Sequence, residues 1–268
     1  MKYKIGFIGI GNMGGALLRG VARKLGGDGI AVADMDKAKL AAASSEYGCT
    51  ECTAAELAAE AEYIFLGVKP QMMAEMLEGI GDALCGRKEK PVLVSMAAGL
   101  TVSTIREMAG GDYPVVRIMP NIPASVGEGM ILYTATEDVT EAQLAEFCDF
   151  MEYTGVLDRI PEGLIDAGSA VSGCGPAFAA MFMEALADGA VTCGLPRAKA
   201  MLYAEQMLIG TAKYLMETGM HPGQLKDNVT SPGGTTICGV RALEEGGFRS
   251  AAAEAVVKAF ERTLELKG

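Results

Sequence analysis

The sequence has no tryptophan and a single histidine, and its aromatic content is low, with eight tyrosines and eight phenylalanines in 268 positions. One histidine rules out the imidazole clusters from which many zinc sites and acid–base relays are built. Basic residues are also scarce, with 23 lysines and arginines against 34 aspartates and glutamates and a net charge of −11. No basic stripe offsets that balance, so nucleic acid is not an expected partner. No window is expected to reach the apolar length of a membrane span, so no membrane partner is expected either. The opening Met1-Lys-Tyr-Lys4 leads straight into a strand, which leaves no room for a signal peptide and makes the cytoplasm the expected compartment. The seven cysteines are odd in number and scattered. Cys49-Thr-Glu-Cys52 has C-x-x-C spacing but no second pair, so no metal is expected. A redox dithiol normally opens a helix, whereas this pair follows Gly48 in a short turn or strand. Reduced thiols serving as small hydrophobes are the expected reading.

Half of the residues are hydrophobic, enough for one large core or two smaller ones. Lys4–Ile8 reads as a strand and Ala16–Ala22 as a helix, with Gly9-Ile-Gly-Asn-Met-Gly14 between them. Strand, glycine turn and helix form the context in which G-x-G-x-x-G binds a dinucleotide. Gly9 makes the turn, Gly11 admits the pyrophosphate and Gly14 lets helix and strand pack, with Asn12 and Met13 in the same loop. The helix start adds partial positive charge toward the anion. A second strand, Gly29–Ala33, ends at Asp34, whose carboxylate is placed to accept from the adenosine ribose hydroxyls. Asp34 also suits the N-cap of a helix opening at Lys37.

Strands and helices then alternate, with strands at 63–68, 91–95, 114–119, 129–133 and 156–159 and helices at 56–61, 72–84, 102–108 and 141–152. The alternation predicts a mostly parallel sheet with right-handed crossovers, and ligands lie beyond the carboxyl ends of such strands. Three strand ends then line a coenzyme cleft: Val68-Lys69-Pro70, Ala97-Ala98-Gly99, and Asn121 after Met119-Pro120. Lys69 has two readings, a donor near the coenzyme or a surface lysine in a turn.

After Pro161 no strand period returns. Helices are expected at 165–171, 177–193, 197–217, 236–245 and 250–266, the last with Ala253, Val256, Val257, Phe260 and Leu264 on one face and Glu254 paired with Lys258. These features divide the chain into an α/β Rossmann-like domain, 1–160, and an all-α domain, 161–268. The helix from Ala177 carries only Glu184 and Asp188 as charges up to Ala190, so it is expected to be buried on several sides, against a second subunit or its own neighbours. His221-Pro-Gly-Gln-Leu-Lys-Asp-Asn-Val-Thr-Ser-Pro-Gly-Gly-Thr-Thr236 lies between two helices. Pro232 stops a helix, Gly233 and Gly234 allow close approach, and the next helix start offers N–H groups and hydroxyls to a carboxylate or phosphate. His221 is expected to be a helix-start or packing residue.

The order of G-x-G-N-M-G, Val-Lys-Pro, Arg117-Ile-Met-Pro-Asn-Ile-Pro123, Ser172-Gly-Cys-Gly-Pro-Ala177 and 221–236 closely resembles Δ1-pyrroline-5-carboxylate reductases over essentially the whole chain. The resemblance implies a Rossmann domain followed by an all-α dimerisation domain, a homodimer or a higher assembly of dimers, and an active site at the shared interface. It further implies reduction of the cyclic imine to L-proline, the last step of proline synthesis. Carried over, Ser231, Gly233, Gly234, Thr235 and Thr236 hold the substrate carboxylate, Asn228 braces their loop, and the Thr236 hydroxyl lies near the ring nitrogen as the catalytic group. Cys174 and Thr235 stand where the family often has serine and alanine. The coenzyme is NADH or NADPH. Asp34 favours NADH slightly by repelling a 2′-phosphate, and Lys37 and Lys39 work the other way.

Two other readings carry their own signatures. A β-hydroxy-acid reductase of similar architecture is expected to place a lysine in its long central helix, and Ala177–Ala190 has none. A dinucleotide sensor has no need of the Ser-Pro-Gly-Gly-Thr-Thr anion site.

Overall fold

The computed structural model describes residues 1–265. They form two compact units: Met1–Gly173, with the chain from Phe260 onward, and Cys174–Ala259.

The first unit runs β1 (Tyr3–Ile8), α1 (Asn12–Leu25), β2 (Ile30–Ala33), α2 (Lys37–Tyr47), β3 (Thr50–Glu51), α3 (Ala54–Glu60), β4 (Ala61–Leu66), α4 (Met73–Gly79), α5 (Gly81–Cys85), β5 (Val92–Ser95), α6 (Val102–Met108), β6 (Val115–Met119), β7 (Gly129–Ala135), α7 (Glu141–Phe150), β8 (Gly155–Arg159) and α8 (Ile165–Ser172). The strands make one sheet in the order β3-β2-β1-β4-β5-β6-β7-β8. Apolar side chains on both faces explain the nearly continuous hydrophobic runs. In β4, Tyr63 and Phe65 join the core that contains Phe7, Leu17 and Phe150, while Ile64 and Leu66 join the opposite core with Leu57, Leu77 and Ile105. Phe7 stacks on Phe65 with ring centroids 4.4 Å apart.

The sheet departs from the all-parallel alternation at one place, where β7 runs antiparallel to β6. The link between them holds only the short helical turn Ile122–Val126, and a parallel return needs a longer crossover. The single amphipathic helix expected over 72–84 is broken at Ile80, which glycines 79 and 81 flank.

The second unit is helical: α9 (Gly175–Thr192), α10 (Arg197–Thr218), α11 (Pro222–Asn228), α12 (Thr235–Glu245) and, up to Ala259, α13 (Phe248–Glu265). Pro176 sits in the first turn of α9, where its missing N–H costs nothing. Glu254 and Lys258 pair along α13 at 3.5 Å. On the expected apolar face of α13, Val256 and Phe260 are half-buried while Ala253, Val257 and Leu264 are exposed in the single chain. The expected end of that helix at Leu266 lies outside the described residues.

Among the described residues of this unit only Ala187, Ala200 and Ala204 are buried, whereas Met181, Leu202 and Met216 are largely exposed. The expectation about membrane-length runs needs correcting. Glu162–Thr192, which contains an 18-residue window of mean hydropathy 1.3, is long and apolar enough to cross a membrane by length and composition alone. Its alanines, glycines, phenylalanines and methionines carry few charges between them, and only 11% of that window is buried.

Candidate active site

The parallel register aligns the strand ends that matter. Ala33 pairs with Ile8, Ile8 with Leu66, Leu66 with Ser95, and Ser95 with Arg117. One row therefore crosses the sheet, and the residues just past it, Asp34, Gly9, Gly67 and Met96, share one edge. The strand order reverses between β1 and β4, the topological switch point where open α/β sheets bind ligands.

At that point the glycine turn is as tight as backbone allows. Gly9 has φ +91, and a Cβ there would lie 2.8 Å from the Gly67 carbonyl carbon and 2.9 Å from Val68 N. A side chain on Gly14 would run into the Gly9 carbonyl oxygen. Gly11, the N-cap of α1, has nothing within 4 Å of where its Cβ would stand. The loop is thus packed behind and open in front, with Asn12, Met13 and Gly14 opening the helix. That shape and the free N–H groups suit a pyrophosphate.

Asp34 is half-buried and tied down. Its Oδ2 accepts from Ile10 N at 2.8 Å and its Oδ1 from Asp36 N at 2.9 Å. The N-cap of α2 is Asp36, which accepts from Ala38 N, so the capping role weighed for Asp34 belongs to its neighbour. Asp34 instead links the glycine loop to the end of β2. Lys39 stands 3.8 Å from the Asp36 carboxylate.

The other strand ends differ in what they offer. Lys69 is exposed and precedes the helical turn Pro70–Met72, next to half-buried Val68. Ala97 is buried, Ala98 is exposed and Gly99 takes φ +81, leaving a shelf without bulky side chains. Asn121 is buried, and both ends of its amide are occupied: Nδ2 donates to Ser172 O at 2.9 Å and Oδ1 accepts from Met130 N at 3.0 Å.

Sequence reasoning passed over a buried charge beside this edge. Arg117 is 1% exposed and donates to Glu162 Oε1 at 3.2 Å and to Asp166 Oδ1 at 3.3 Å. Glu162 Oε1 also accepts from Val102 N at the start of α6. The available signal was an arginine inside the apolar strand Val115–Met119, since a buried guanidinium requires carboxylates close by.

In the second unit, Ser231-Pro232-Gly233-Gly234 closes a turn in which Gly234 N donates to Ser231 O at 3.0 Å. Pro232 followed by Gly233 at φ +68 is the pairing a type II turn requires. A side chain on Gly234 would strike the Ser231 hydroxyl. Gly234 caps α12, and Ser231, Thr235 and Thr236 are exposed around that helix start. Backbone N–H groups and three hydroxyls thus gather at one helix N-terminus, as a carboxylate would use them. Asn228 does not brace this turn. It ends α11 and its amide donates to Met220 Sδ at 3.6 Å, because the capping turn through Val229 and Thr230 directs it back along the helix. His221 is the N-cap of α11, its Nδ1 accepting from Gly223 N at 3.1 Å, which makes it a helix-start residue.

Cys49 and Cys52 are both free thiols. Cys49 is buried, and burial pushes its thiol up to about 11; burial, then Glu56, also raises Cys52. A thiol held protonated is a poor nucleophile.

Comparisons with known proteins match two parts of the chain to known families. Residues 162–266 match the family described as pyrroline-5-carboxylate reductase dimerisation, and residues 4–99 match the family described as NADP oxidoreductase, coenzyme F420-dependent. The pyrroline-5-carboxylate reductase of Escherichia coli is 42% identical over 270 residues, covering 99% of each chain. A solved pyrroline-5-carboxylate reductase from Coxiella burnetii superposes with TM-score 0.91 at 32% identity over 100% of both chains. The Plasmodium falciparum pyrroline carboxylate reductase, solved with NADP bound, superposes with TM-score 0.88 at 30% identity over 100% of both chains.

Proposed function

The chain belongs to the pyrroline-5-carboxylate reductase family, and from that premise we propose which of its residues carry the reduction of the cyclic imine 1-pyrroline-5-carboxylate to L-proline. A nicotinamide coenzyme supplies the hydride when bound. The glycine loop, open in front of Gly11, fits its pyrophosphate. Gly9, Gly11, Asn12, Met13 and Gly14 hold that group and Asp34 meets the ribose. Val68, Lys69, Pro70, Ala97, Ala98, Gly99 and Asn121 line the path to the nicotinamide.

The substrate carboxylate is held by Ser231, by Gly233 and Gly234, and by Thr235 and Thr236 at the start of α12. The protonated imine is already electrophilic, so two electrons arriving as hydride at the imine carbon leave a neutral secondary amine without a proton-transfer side chain. Thr236 Oγ1 accepts a hydrogen bond from the protonated ring nitrogen and holds the ring in line. The observation that carries this reading is the exposed Ser231–Thr236 turn at a helix start, with the one histidine committed to a cap.

Residues 1–160 form the coenzyme domain and 161–268 the dimerisation and substrate domain. The protein is cytoplasmic and works as a homodimer or an assembly of dimers, without a membrane. NADH is slightly favoured, because the Asp34 carboxylate repels a 2′-phosphate more closely than Lys37 and Lys39 attract it. Oxidation of NADH and NADPH, followed by absorbance on adding 1-pyrroline-5-carboxylate, tests the proposal. Turnover with NADH at least equal to that with NADPH is expected. Turnover with neither refutes the function, and a strong NADPH preference refutes the role given to Asp34.

A further inference from the structure

We propose that Met35 holds the adenine base of the coenzyme by its face; this rests on the coenzyme half of the reading above and not on the substrate half. Met35 follows Asp34 just past the end of β2 and is 88% exposed, more than any other large hydrophobic side chain among the described residues. Single apolar side chains are ordinary on a protein surface, and exposure by itself carries no meaning. The setting of this one is not ordinary.

The turn that carries Met35 is fixed on both sides. Asp34 Oδ2 accepts from Ile10 N at 2.8 Å, which ties the turn to the glycine loop. Asp34 Oδ1 accepts from Asp36 N at 2.9 Å, an Asx turn that leaves Met35 at its tip. Asp36 in turn accepts from Ala38 N and starts α2. Met35 therefore stands on a braced backbone beside the coenzyme loop, and its exposure is not that of a loose segment.

The layout of the sheet edge says what it meets. In the order β2-β1-β4, the glycine loop after β1 has β2 on one flank and β4 on the other. The pyrophosphate is assigned to the loop, and the path to the nicotinamide leads over the ends of β4, β5 and β6, at Val68, Ala97 and Asn121. That leaves the β2 flank for the adenosine half. Asp34 is assigned to its ribose, and the base joined to that ribose comes next. Met35 is the one apolar side chain in Asp34-Met-Asp-Lys37. A thioether is unbranched and polarizable and makes favourable contacts with aromatic rings, and every base offers it a π-face. Met35 has no group that could read the hydrogen-bonding edge of a base, so the contact it makes serves any purine.

The test measures Kd for three ligands on the full-length protein: NADH, ADP-ribose, which lacks the nicotinamide, and the NADH analogue with hypoxanthine in place of adenine. The parent is compared with Met35→Ala, Met35→Leu and Met35→Gln. Met35→Ala is expected to weaken all three ligands by a common factor, about fivefold to tenfold. Met35→Leu should restore affinity to within about twofold of the parent, whereas Met35→Gln, similar in length but polar, should keep most of the loss. Without ligand each variant should melt like the parent, because the side chain is exposed in the free chain. Parental affinity for ADP-ribose in Met35→Ala overturns the proposal. A loss that spares the hypoxanthine coenzyme also overturns it, since the edge of the base and not its face is then recognised. Parental affinity together with a smaller oligomer in the ultracentrifuge overturns it in favour of a contact between two copies of the chain. A parent protein that binds neither NADH nor ADP-ribose refutes the coenzyme reading itself, and the proposal with it, before any variant is made. A parent that binds coenzyme but does not turn over 1-pyrroline-5-carboxylate refutes the substrate half alone, and the factors expected for Met35 stand unchanged.

Discussion

Gly9 and Gly11 lie two residues apart in one loop, yet alanine should fail at each for a different reason. At Gly9 the backbone has φ +91, where a side chain costs about 1–2 kcal/mol. The new Cβ would also stand 2.8 Å from the Gly67 carbonyl carbon, against a comfortable separation of about 3.5–4.0 Å. Both sides of that contact are backbone, so the β1 and β4 loops must part by most of an ångström, an overpacking cost of about 1–3 kcal/mol. The sum is about 2–5 kcal/mol, or roughly a 5–15 °C fall in Tm for a protein of this size. At Gly11, φ is −64 and nothing lies within 4 Å of the new methyl, so Gly11→Ala should melt like the parent. The methyl would instead occupy the space assigned to the pyrophosphate, and coenzyme affinity should fall about tenfold or more. Thermal melts and coenzyme titrations on both variants separate the two effects. A Gly9→Ala protein as stable as the parent would refute the packing argument. Parental coenzyme affinity in Gly11→Ala would mean that the open face of the loop is not where the coenzyme lies.

Three further outcomes are expected. Thr236→Ala removes one hydrogen bond to a charged group, worth about 1.5–3 kcal/mol, so kcat/KM should fall roughly 10- to 100-fold without vanishing; an inert variant with intact fold and coenzyme binding would make Thr236 an essential acid. The Cys49 thiol, raised by burial to about 11, keeps its proton in the folded chain while the unfolded chain loses it from about pH 9. Its contribution is therefore complete below pH 9 and is lost between about pH 9 and 11, by at most about 2–3 kcal/mol; denaturant melts of Cys49→Val should show a shallower decline over that window, and an identical slope would exclude the thiol as a source. The proposed homodimer makes the melting temperature of the protein rise with concentration; a Tm constant over a hundredfold dilution series, with activity retained, would mean that the helical unit is stable without a second copy.

The sheet was legible because its strands are short apolar runs bounded by glycine and proline, and the glycine fingerprint because each glycine has its own steric reason. What escaped was held by contacts that leave no local pattern. β3 is two exposed residues, Thr50 and Glu51, and carries no apolar signal. α11 was hidden inside a segment read as a connection, because Pro222-Gly223 and Asp227-Asn228 are turn residues by composition. A histidine cap and a proline in the first turn make a helix of them. The same short helix draws Asn228 away from the anion turn. At Asp34 the sequence could not separate a cap from a ribose ligand, because Asp36, two residues on, is an equally good cap and takes that place.

The most costly feature inside the first unit is the buried guanidinium of Arg117. A buried arginine with two carboxylates is poor value as a stabilising device. Well-packed apolar residues in place of such a group are often neutral or more stable by about 1–4 kcal/mol, although removing one partner alone costs about 3–5 kcal/mol. Arg117 also leaves Nε unpartnered, a further burden of about 1–3 kcal/mol. Apolar packing resists sliding weakly, whereas a guanidinium between Glu162 and Asp166 fixes direction as well as distance. The contact therefore gives up stability to hold α8 against β6 in one direction and at one distance.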